Sequence, residues 1–60
     1  MLEKAGKALS MTDQLTRLVK EMIPGSRDLD LQRLLKQIDA DLMDVKHKLS
    51  LVAKLAGNGT

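Results

Sequence analysis

A chain of 60 residues holds one domain at most, and a domain this short buries only about 60% of the surface its unfolded form exposes. Such chains usually gain stability from disulfides, a metal ion or a second chain. With no cysteine and a single histidine, the first two are set aside and association remains. The absence of aromatic residues argues against an aromatic-lined ligand pocket and a base-stacking RNA platform, and a net charge of +2 does not by itself imply a nucleic-acid partner.

The first residues, "MLEKAGKALS", carry Glu3, Lys4, Lys7 and Gly6, which leaves no apolar core for a secretory signal. No apolar run approaches the length of a membrane span. The expected location is therefore cytoplasmic, with no membrane partner. Leu2, Ala5 and Leu9 keep a helical spacing, but "SMTD" at Ser10–Asp13 matches a capping box that would start a helix at Met11. The spacing thus predicts a firm first helix over 11–22 and a fraying extension over 1–9. Its seam is expected to hold Ala8, Met11, Leu15, Leu18 and Met22, with Val19 on the shoulder; Lys4 interrupts the stripe further back.

"PGSR" at residues 24–27 is the one strong interruption. Pro24 opposes helical geometry at Ile23 and Gly25 permits a bend, so a turn is expected over 23–27. A second helix should begin at Ser26 or Asp28, with Asp28 and Asp30 near the positive end of its dipole. It should end at "AGNGT", with Gly57 in a left-handed position and 57–60 as a flexible tail. "NGT" at 58–60 matches a glycosylation sequon, read here as chance. From Asp28 to Ala56 the helix would be about 43 Å long. The expected fold is all-α: an antiparallel helical hairpin over 10–56, dimerising into a four-helix bundle.

The second helix carries Leu35, Leu42, Leu49 and Ala56 at heptad position a, and Leu31, Ile38, Val45 and Val52 at d. A period of 3.5 kept this long is a coiled-coil pattern, and leucine at a with β-branched residues at d favours four helices over two. Asp39 and Asp41 flank the first half of this seam, Lys46 and Lys48 the second. An antiparallel copy pivoting between Met43 and Asp44 would set Asp39 against Lys46 and Asp41 against Lys48 of the other chain. A parallel copy offers only Asp41 with Lys46. A first helix starting at Met11 would leave parts of Leu49, Leu51, Val52 and Leu55 in water, so a partner is expected there: a second copy, or a helix of another protein.

Residues for chemistry are sparse. His47 falls at f, away from the seam, and is the only base available to Ser10, Ser26 and Ser50; it reads as a surface histidine, and no enzyme is expected. "DADLMD" brings Asp41 and Asp44 to one face without the glycine bend and terminal glutamate of a calcium loop. No metal, cofactor or small-molecule substrate is expected. Arg33, His47 and Lys54 recur at f with Lys36 beside them, a stripe that a nucleic acid could use, diluted by Asp30 and Asp44. In outline the chain resembles the dimerising hairpins of docking segments in modular synthases and small hairpins that chaperone secretion-machine subunits, and neither assigns a site residue; plasmid-type RNA-binding hairpins show only that a four-helix bundle permits RNA binding through an outer face. The expected function is an interaction module that dimerises or docks larger polypeptides. The alternatives are an RNA-binding bundle and a secretion chaperone.

Overall fold

The computed structural model describes residues 1–58 and contains two helices, α1 (Leu2–Gly25) and α2 (Leu29–Asn58). They pack as an antiparallel hairpin with Cα extents of 49 × 15 × 10 Å. That thickness is a single layer of helices. Among the described residues, no helix is long and apolar enough to cross a membrane.

α1 is longer than its capping signal predicts. It begins at Leu2, Ala5 N–H donates to the Met1 carbonyl at 3.0 Å, and no side chain caps its N-terminus. Ser10–Asp13 lies well inside the helix. There the Thr12 hydroxyl donates to the Ala8 carbonyl at 2.8 Å, and the Thr16 hydroxyl to the Thr12 carbonyl at 2.8 Å. Residues that serve as a cap when a helix starts can equally spend their hydroxyls on the previous turn.

The turn also falls later than expected. Ile23, Pro24 and Gly25 belong to α1, and the chain leaves the helix at Ser26, whose φ of −89° and ψ of 132° are extended. Pro24 in the last turn removes a single intrahelical donor, a small loss where the helix is about to end. Ser26 N–H still reaches the Ile23 carbonyl at 3.2 Å. Gln32 Nε2 then donates to the Ser26 carbonyl at 2.6 Å, tying the start of α2 to the end of α1.

Asp28 caps α2. Its Oδ1 accepts from Asp30 N–H at 2.8 Å and, at the margin, from Leu31 N–H at 3.4 Å. Asp28→Ala should lower stability by about 1 kcal/mol, read as a shifted urea midpoint at unchanged slope. At the other end α2 runs through Gly57 to Asn58, and no described glycine has positive φ. The left-handed stop expected at Gly57 is therefore not used, while residues 59 and 60 of the expected tail and sequon lie outside the described residues.

Little is buried. Among the described residues only Ala5, Val19 and Leu35 are buried apolar residues, Thr12 is the one buried polar residue, and no side chain is wholly enclosed. Thr12 can be buried because its hydroxyl is already satisfied within its own helix.

Candidate functional site: an apolar face beside the helix seam

The residues that meet between the helices differ from those the leucine pattern selects. On α1 the seam runs through buried Ala5, Thr12 and Val19 and half-buried Leu9, Thr16 and Ile23. That is an unbroken 4-3-4-3 spacing made mostly of small or β-branched side chains. On α2 it runs through Leu35, Leu42, Leu49 and Ala56 together with Gln32, Asp39 and Ala53. The expected a residues are in the seam. The expected d residues are not: Leu31, Ile38, Val45 and Val52 are all exposed, Val45 by 44%.

The same correction applies to α1. Met11, Leu15, Leu18 and Met22, expected to fill the seam, are exposed, Leu18 by 58%. Seven of these eight residues stand one position before a seam residue, and Val45 one before Lys46, which reaches across the seam to Asp13; the step is about 100° around the helix. Because the helices are antiparallel, the same sequence step turns both sets to the same side of the layer. The opposite side carries a shallow groove in which Asp13, Lys20, Met43 and Ser50, each one position after a seam residue, are joined by His47 and by Thr16 and Lys46 at the seam's edge. The hairpin is therefore two-sided. One side carries the four α1 residues and, on α2, Leu31, Leu34, Ile38, Val45, Val52 and Leu55. The other carries Arg17 and Lys20 with Arg33, Lys36, His47 and Lys54.

This changes the reason why Val52 and Leu55 are wet. A first helix starting at Met11 would leave them uncovered, but α1 reaches back to Leu2. The cause is rotation. The short connection and the Gln32–Ser26 hydrogen bond fix which faces meet, and the faces that meet are not the most apolar ones.

The charges fall differently as well. Lys46 Nζ contacts Asp13 Oδ1 at 2.8 Å across the seam, and Lys48 Nζ contacts Asp44 Oδ2 at 3.1 Å along α2. Both pairs are about half exposed or more, and each contributes at most about 1 kcal/mol. Asp39, expected to face Lys46 of a second chain, sits in the hairpin's own seam, where its Oδ1 is buried without a hydrogen-bond partner. Asp41 makes no ion pair among the described residues. Among the described residues no three histidine or carboxylate groups gather as metal ligands.

Searches of protein-family models, curated proteins and solved structures found no match. The fold and this face define an α-helical hairpin with one apolar and one basic side.

Proposed function

We propose that this chain is a non-enzymatic association module, in which two hairpins stack apolar side on apolar side as a four-helix bundle and so join or position larger polypeptides. The observation that carries the reading is that both helices turn their exposed leucine, valine and methionine stripes to the same side of one layer. A single helix stripe could be incidental. Two aligned stripes make the half-core of a two-layer structure.

The size of the exposed area supports the same conclusion. A compact folded monomer of 6.6 kDa exposes roughly 3,900 Å², whereas this chain exposes 4976 Å². The excess of about 1,100 Å² per chain exceeds the roughly 800 Å² per partner of an ordinary stable interface. Contiguous apolar patches beyond a few hundred Å² are rare on proteins that work alone. Because folding is then coupled to pairing, the melting temperature should rise with protein concentration. Circular dichroism melts over a hundred-fold concentration range test this; an unchanged midpoint would favour a self-sufficient monomer.

The basic side gives a second reading. The stripe expected on α2 (Arg33, Lys36, His47, Lys54) shares its side with Arg17 and Lys20 of α1, against Asp13, which already pairs with Lys46. Stacking through the apolar sides would leave this side outward on both copies. If it holds RNA, Arg33→Glu with Lys54→Glu should abolish binding at unchanged oligomeric state, and wild-type affinity should fall steeply with salt.

A further inference from the structure

We infer that the second copy lies antiparallel on the first, with α2 crossing α2 about a two-fold axis through Val45. This rests on the association proposed above and adds its geometry. Along the exposed side of α2, reversal about Val45 brings Ile38 opposite Val52 and sets Leu34 beside Leu55 and Asp41 beside Lys48, these last two pairs one residue (about 1.5 Å) from level. The sequence of this face is thus its own complement when turned end over end, in apolar size and in charge. Self-complementarity is what a two-fold interface requires, since residue i meets j and j meets i.

The charges decide between arrangements. Asp41 and Lys48 are the only charged residues on this side of α2 between Leu31 and Leu55. In the antiparallel pair each Asp41 meets Lys48 of the second copy, twice by symmetry. In a parallel pair in register, Asp41 faces Asp41 and Lys48 faces Lys48. If α2 instead lay on α1 of the second copy, Asp41 would rest among Met11, Leu15 and Leu18, which offer no cation. Asp41 makes no ion pair with any described residue of its own chain, and Lys48 holds Asp44 only through an exposed contact that a closer anion can share. The axis also differs from the one the leucine pattern suggests, between Met43 and Asp44, because the structure withdraws the a residues into the hairpin's own seam.

The two-fold has a consequence for the proposed joining role. The start of α1 at Leu2 and the end of α2 at Asn58 both lie at the open end of the hairpin, away from the turn. Antiparallel stacking puts the two open ends at opposite ends of the bundle, so polypeptides attached to the two copies depart in opposite directions.

The chain has no cysteine of its own, so directed cross-linking is clean. Leu34→Cys and Leu55→Cys variants, mixed under disulfide exchange, should form mainly the 34–55 cross-link, while Leu34→Cys alone should form little of its own. In parallel, Asp41→Lys and Lys48→Asp should each weaken dimerisation about ten-fold or more, and their equimolar mixture should recover wild-type strength as a heterodimer. A doubled mass with Leu34→Cys linking to itself would overturn the antiparallel arrangement and leave association standing, as would charge variants that pair as well as wild type. A single-chain mass at every concentration would overturn the association and the geometry together.

Discussion

Val45→Asp is expected to dissociate the pair and with it much of the helix. Val45 is exposed in the single hairpin, so in isolation the substitution would be tolerated on a water-facing position. At the two-fold axis the same residue meets its own copy, and two carboxylates would be driven together in an apolar contact. Each buried, unpaired charge costs several kcal/mol, and the lost valine burial adds about 1.5–3 kcal/mol per chain. The dissociation constant should rise by at least about a thousand-fold, read by light scattering behind a sizing column. Ser50→Asp, on the opposite side of the same helix, should leave the mass unchanged. If Val45→Asp pairs normally, the apolar side is not the interface.

Leu35→Ala should be nearly as damaging by a different route. Leu35 is one of three buried apolar residues among those described, only 5% exposed, and packs in the seam within each hairpin. Truncating a buried leucine costs about 2–5 kcal/mol, and a pair of chains suffers it twice. Total stability of a small domain is of that order, so the thermal unfolding curve should shift into the ambient range. Leu51→Ala makes the contrast: Leu51 is exposed on the rim of α2, and surface changes of this kind stay within about 0.5 kcal/mol. Equal effects of the two substitutions would contradict the assigned seam.

The hairpin itself was legible. The 3.5-residue apolar period of α2 and the Pro24–Gly25 interruption mark two helices and a tight connection, and Asp28 marks the start of the second. The rotation of the helices was not. Leu35, Leu42 and Leu49 belong to two possible stripes at once, one completed by Leu31, Ile38 and Val45, the other by Gln32, Asp39 and Ala53. Hydrophobicity selects the first, yet the hairpin closes on the second and leaves the first for the outside. On α1 the true seam, Ala5–Leu9–Thr12–Thr16–Val19–Ile23, is masked because two of its members are threonines. Their spacing of four was the available signal. A helical threonine can donate to the carbonyl four residues back, as both do here, and then packs like a small β-branched residue.

The helix ends show the same limit on a smaller scale. "SMTD" and Gly57 have the composition of a start and a stop, and the structure runs helix through both. Capping residues express a preference of about 1 kcal/mol, which continuing contacts along the seam can outweigh. Asp28 succeeds as a cap where Ser10 does not because the chain at Ser26 has already left the helix.

Sedimentation equilibrium across micromolar concentrations tests the central claim most directly, because it weighs the species without assuming a shape. Two hairpins sharing their apolar sides should give twice the chain mass, falling toward one chain on dilution as helicity is lost. A fully helical species of single-chain mass throughout that range would contradict the account.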